Sequence, residues 1–223
     1  MAFPVVASSN STGGTYAFGG VAQNMPSGIA AGDLLIAFAA SDESDTLSAS
    51  GWTSITNKTD SGLFVRLVVF AKIADGGDTM TLVSDGFNDY ATVIARITGH
   101  AVSDVAADIL KGTAAEGSDA APDPPSVTIS STKDWLFLEC FAADDDDDTA
   151  TYWSTNYTGI AQQQSASSTS SCLVAAAYRQ LNTGSNEDPG VMAMADSEEW
   201  ATQTFAIPPS SSTGAGWWGG SNW

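Results

Sequence analysis

Gly32-Asp33-Leu34-Leu35-Ile36-Ala37-Phe38-Ala39-Ala40 is the stretch that decides the fold, and the chain states it twice. Its second half carries Lys133-Asp134-Trp135-Leu136-Phe137-Leu138-Glu139-Cys140-Phe141-Ala142-Ala143. Each copy opens on an aspartate, runs through an almost unbroken apolar segment and ends in small residues before an acidic loop. A short apolar run bounded by turn residues reads as a strand buried on both faces. These two are expected to be the central strands of two related halves.

The echo extends outward. Gly51-Trp52-Thr53-Ser54 is answered by Tyr152-Trp153-Ser154-Thr155, each tryptophan at the same distance from its aspartate (33 to 52, 134 to 153). Val69-Phe70-Ala71-Lys72-Ile73-Ala74-Asp75-Gly76 is answered by Ala177-Tyr178-Arg179-Gln180-Leu181-Asn182-Thr183-Gly184, and Tyr90-Ala91-Thr92 by Trp200-Ala201-Thr202. Alternating strands resemble one another by necessity, but four ordered matches point to an internal repeat.

Around these anchors the chain divides into an N-terminal segment (1–24), a β-sandwich (25–209) and a Ser/Gly/Trp tail (210–223). The sandwich splits into a first half (25–99), a connecting loop (100–125) and a second half (126–209). Strands are expected at Leu63–Ile73, Thr79–Val83, Tyr90–Ile97, Ser126–Ser130, Trp135–Ala143, Tyr152–Gln164, Cys172–Leu181, Val191–Ala195 and Trp200–Ile207, with edge strands at Pro4–Ala7 and Tyr16–Phe18. Only Val102–Leu110 has helical spacing. Many short strands between Gly-rich turns give an all-β chain of about ten to twelve strands, a jelly-roll-like sandwich of two sheets over one core.

Composition narrows the function. Of 223 residues 43% are hydrophobic, enough for a real core, and 26 acidic against 7 basic residues give a net charge of −19. Nucleic-acid and anionic-membrane binding need clustered Lys and Arg, whereas these are scattered, so neither partner is expected. The opening Met1-Ala2-Phe3-Pro4 has no basic and apolar signal-peptide regions, and no run approaches the ~20 apolar residues of a spanning helix. Cys140 and Cys172 read as buried free thiols rather than a disulfide framework.

Candidate chemistry is thin. A Ser-His-Asp arrangement would need His100, the only histidine, and no G-x-S-x-G elbow accompanies it. The chain is not expected to be an enzyme, and no cofactor is expected. Asp144, Asp145, Asp146, Asp147 and Asp148 offer carboxylates of the kind Ca2+ takes, though a solvated acidic loop is the competing reading. Asp42-Glu43-Ser44-Asp45 occupies the equivalent place in the first half, so both acidic loops are expected at corresponding rims. Trp52, Trp135, Trp153 and Trp200 belong to strand motifs and are expected in the core. Trp217, Trp218 and Trp223 sit instead on a Ser/Gly leash, where exposed aromatics of this size call for a partner. They are the candidate docking residues.

Asp33-Leu34-Leu35-Ile36-Ala37-Phe38, Gly51-Trp52-Thr53, Ile97-Thr98-Gly99 and Pro125-Ser126-Val127-Thr128, in this order, resemble a pattern of tailed-phage virion proteins. These are β-sandwich or jelly-roll proteins among head decoration (cement) proteins and tail or fibre components. The resemblance implies a structural virion surface protein made in the host cytoplasm. Its partners would be other virion proteins, the major capsid protein first, and further copies of itself in a trimeric or similar assembly held through the tail. The alternative it leaves open is a tail-fibre or adhesin-type module binding a glycan or receptor. It carries no catalytic residue across.

Overall fold

The computed structural model describes residues 2–16, 19–43, 45–86, 88–144, 152–165 and 171–210. Among these there is no helix, and 53% of the chain is strand in three antiparallel sheets. The described strands are β1 (Val5–Thr15), β2 (Val21–Ala22), β3 (Leu34–Asp42), β4 (Leu47–Ala49), β5 (Thr53–Thr59), β6 (Val65–Ile73) and β7 (Thr81–Ser84). They continue with β8 (Asp89–Thr98), β9 (Leu110–Lys111), β10 (Ala115–Gly117), β11 (Lys133–Asp144), β12 (Thr158–Gln164), β13 (Cys172–Thr183) and β14 (Trp200–Ile207).

The first half builds one sheet, in the order β1-β8-β3-β6-β5, and the second half builds the other, β10-β14-β11-β13-β12, with β9 also on β14. The two anchor strands lie where their sequence demands, in the middle: every residue of β3 is buried, as are nine consecutive residues of β11, Trp135 to Ala143. Taken in chain order, β1, β3, β5, β6 and β8 correspond to β10, β11, β12, β13 and β14, and the two sheets then share one strand order.

Parity assigns the faces. Leu34, Ile36, Phe38 and Ala40 of β3 meet Leu136, Leu138, Cys140 and Ala142 of β11 in a core common to both halves, completed by Leu67, Val69, Val93, Val174, Phe205 and Ile207. The alternate residues are buried on the outer faces. Leu35, Val68, Phe70 and Ile94 lie under Trp52, Met80 and Leu82, beneath the small third sheet β2-β7-β4. Phe141, Leu173 and Trp200 lie with Tyr152, Met192 and Met194, and Trp135 and Phe137 with Val127 and Tyr157. Double-sided cover explains why both anchor strands are continuous apolar runs rather than alternating ones.

The same parity corrects the sequence alignment. Pairing Asp33 with Asp134 sets Leu34, in the shared core, against Trp135, on the outer face. The ladders instead match Leu34 with Leu136, because Leu34 pairs with Ile97 and Leu136 with Ile207. Phe70 and Tyr178 are likewise mismatched: Phe70 faces outward, whereas Tyr178 packs against the shared core. Tyr90 and Trp200 stand in the same register on both faces, opposite Ser41 and Ala143. A one-residue slip exchanges faces, and runs that are apolar on both sides hide it.

Other expectations shift. Val5–Thr15 is one continuous strand on β8, so the boundary at residue 25 cuts through the first sheet. The stretch expected as helix, Val102–Leu110, is instead a turn that ends in the first residue of β9, tied by the Asp108 carboxylate, which accepts from the Ser103 and Asp104 N–H groups. Ser126–Ser130 contributes only a bridge between Val127 and Glu187. The strand expected from Tyr152 begins at Thr158. Val191–Ala195 is no strand: the N–H groups of Met192 and Met194 donate to the linker carbonyls of Pro122 and Ala120, and the two side chains are buried.

Polar contacts stitch both rims. On one, β1 lies across β12: the Ser11 hydroxyl donates to Gln163 Oε1 at 2.8 Å. There a Cβ on Gly13 would stand 2.2 Å from the Gln164 carbonyl oxygen, so only glycine allows this approach. On the other rim, Lys58 pairs with Glu116 at 3.2 Å and Lys111 donates to the Ile55 carbonyl.

Candidate functional site

β3 and β11 face each other across the shared core, and their C-terminal ends lie at one end of the sandwich. Asp42 and Asp144 close these strands, and the Asp42 charge acts on Asp144. Burial first, then the charges of Glu43, Asp89 and Asp45, pushes the Asp42 carboxyl up to about 6. Burial first, then Asp42, Glu198, Glu199 and Asp60, pushes Asp144 up to about 7. The described acids at the two strand ends, Asp42 and Asp144, therefore share a rim.

A single buried carboxylate organises the tip beside them. Asp60, 2% exposed, follows β5 and accepts hydrogen bonds from the backbone N–H groups of Gly62 (2.5 Å), Phe64 (2.8 Å) and Val65 (2.8 Å). Its own N–H donates to the Val65 carbonyl and its carbonyl accepts from Leu63. Next door, the Glu43 N–H donates to the Phe64 carbonyl at 2.7 Å. This tied turn holds Leu63 at φ 67°, a left-handed conformation that costs a branched residue about 1–2 kcal/mol. It also leaves Leu63 56% and Phe64 49% exposed. Phe64 lies back over Gly62, where a Cβ would come within 2.5 Å of the ring.

The opposite end gathers the first and last described segments. Ser210 N–H donates to the Gly99 carbonyl, Ala101 N–H to the Pro208 carbonyl, and the Gln180 amide to the Pro4 carbonyl. Gly99 also lies against Phe3 and Pro4. His100 belongs to this end, bridging to Pro209, with Nδ1 accepting from the Val102 N–H. Burial lowers its pKa despite Asp33 nearby. No nucleophile is bonded to it among the described residues.

Of the candidate residues, Asp144 alone of its acidic run lies within the described part; Asp145, Asp146, Asp147 and Asp148 lie outside it, as do Trp217, Trp218 and Trp223. Among the described residues no group of three or more His, Cys, Asp or Glu side chains is arranged to hold an ion. Trp52, Trp135 and Trp200 are buried and Trp153 is half-buried. Cys140 and Cys172 are free buried thiols in the shared core.

Two features escaped sequence reading. The Leu63–Phe64 tip sits inside a segment expected to be strand throughout; the Asp-Ser-Gly before it was the signal. Glu139, in the middle of an apolar run, is fully buried on the outer face of β11. Its Oε1 accepts from the Ser154 N–H at 2.7 Å, while Oε2 has no partner. Burial, with Glu187 nearby, pushes this carboxyl up to about 7. Glu187 is itself held by Arg179 at 2.8 Å and the Tyr157 hydroxyl at 3.3 Å.

The geometry defines an antiparallel β-sandwich with covered outer faces, an acidic apolar-tipped end and a terminus-bearing end. No known protein family, curated protein or solved structure matches the chain.

Proposed function

We propose that this chain is a structural surface protein of a tailed-phage virion, a head decoration or cement protein held by oligomerisation and by its C-terminal tail. The observation that supports this reading most is the gathering of both described termini at one end, opposite the acidic rim. A tail leaving from that end, bearing Trp217, Trp218 and Trp223, can grip a capsid or a neighbouring copy while the negatively charged end faces away. The covered sheets and stitched rims fit a rigid body that needs no partner to bury its own core.

Removal of Thr213–Trp223, with virion incorporation as readout, tests the clamp. Occupancy is expected to collapse while the sandwich stays folded; undiminished occupancy refutes the role. The glycan-binding alternative has less support, because the four tryptophans of the described body are buried or half-buried rather than displayed on loops. Specific retention on a glycan array, lost on changing one exposed aromatic, would reverse that preference.

A further inference from the structure

We propose that the Leu63–Phe64 tip is a preformed docking knob for a second protein, whose complementary site is an apolar pocket rimmed by lysine or arginine. This contact lies at the end opposite the tail and goes beyond the anchoring role above.

Three observations carry it. The tip is rigid: one buried carboxylate takes three backbone N–H groups, and a fourth hydrogen bond ties Phe64 to the Glu43 loop. The tip is displayed at a cost: Leu63 keeps a left-handed backbone that glycine would take freely, and gains no burial by it. Rigid apolar anchors entering a pocket are the residues that dominate interface energies, since little ordering entropy remains to be lost.

Charge then selects the occupant. The acidic flank of the tip is Glu43, whose N–H bonds the Phe64 carbonyl, with the buried Asp42, which pairs with Val65, and the buried Asp60 behind it; Asp144 and Glu199, joined by a backbone hydrogen bond, add charge on the neighbouring strand ends. Arg66 is the cation on the adjoining strand, and its Nε is engaged by Thr59 Oγ1 at 2.9 Å. A second copy would bring one acidic flank against another in a chain of net charge −19, a juxtaposition that costs several kcal/mol. An anionic membrane surface is repelled for the same reason. A basic-rimmed protein pocket satisfies both the apolar pair and the acidic flank.

The test is selection of a random twelve-residue peptide library on the full-length protein, with counter-selection on the double variant Leu63→Ser, Phe64→Ser. Enriched peptides are expected to place an apolar residue among Lys or Arg, and to lose at least tenfold in affinity for the double variant and on raising salt. Asp60→Asn, which loosens the turn but keeps both side chains, should weaken the same peptides. Leu63→Gly should weaken them without lowering the unfolding midpoint, which separates display from stability. Peptides held equally by wild type and variant, or enriched without basic residues, overturn the proposal. So does tip-dependent self-association in sedimentation, or tip-dependent binding to phosphatidylcholine vesicles in the absence of peptide binding. The tail deletion leaves this result unchanged, so the two readings fail separately.

Discussion

At the scale of the residue, the placement of Glu139 is the most consequential. A carboxyl in an apolar strand, with one oxygen bonded and the other orphaned, is tolerated if it is neutral. Its folded pKa, about 7, lies above the unfolded value of about 4.5. Its stabilising contribution as the neutral acid is therefore complete below about pH 4.5 and is lost as the pH rises through 7. The full swing is on the order of 3 kcal/mol. The midpoint of chemical unfolding is expected to fall between pH 5 and pH 8, opposite to the trend of a protein dominated by salt-bridged carboxylates. In Glu139→Gln, which keeps the acceptor for Ser154 N–H, this slope should become shallower by the share that Glu139 contributes. A wild-type midpoint that rises with pH over the same range contradicts the assignment of a neutral buried acid. Asp42, raised to about 6, and Asp144, raised to about 7, leave a residual slope of the same sign from the acidic rim.

Elements show which parts of the fold the sequence makes legible. Strand identity follows from apolar runs and turn residues, and β3, β6, β8, β11, β13 and β14 are all visible that way. Face and register are not, because a strand buried on both sides has no parity to read. Asp33 and Asp134 look equivalent in sequence yet stand one register step apart in the ladders. The edge strand β1 was foreseen only at its start, Pro4–Ala7, for the opposite reason: Ser, Asn, Thr and Gly fill the rest, and its pairing with β8 and its approach to β12 make it a strand. Of the acidic end, the placing of Asp42 and Asp144 at one rim was legible, since each closes an anchor strand. The Leu63–Phe64 tip was not, because its apolar residues read as the start of β6 and only Asp60-Ser61-Gly62 before them marks a turn. Gly13 tests the rim that β1 forms. In Gly13→Val the new Cβ must displace the Gln164 backbone, an overpacking penalty of about 1–3 kcal/mol. Hydrogen exchange should accelerate first in β1 and β12 and leave β3 and β11 protected. Uniform loss of protection would show that the rim is not a separable feature.

For the whole molecule, the shared core binds the halves into one cooperative unit. Each half covers the outer face of its own sheet with its own residues, Met80 and Leu82 in one case and Met192 and Met194 in the other. Neither covers its inner face. Separating them would expose Leu34, Ile36, Phe38, Leu67 and Val69 on one side, and Leu136, Leu138, Val174, Phe205 and Ile207 on the other. At about 1.5–3 kcal/mol for each such side chain, this exceeds the ~5–15 kcal/mol by which a domain is stable. Residues 1–105 and 106–223 made as separate chains should therefore each lack the near-ultraviolet circular dichroism of fixed tryptophans. Mixed, they should recover it, because the partner half supplies the missing face. The intact chain should unfold in one transition, with tryptophans of both halves reporting the same midpoint. If either fragment folds alone, or the halves of the intact chain melt separately, each has a core of its own, and the common layer between β3 and β11 is a docking surface rather than the centre of the fold.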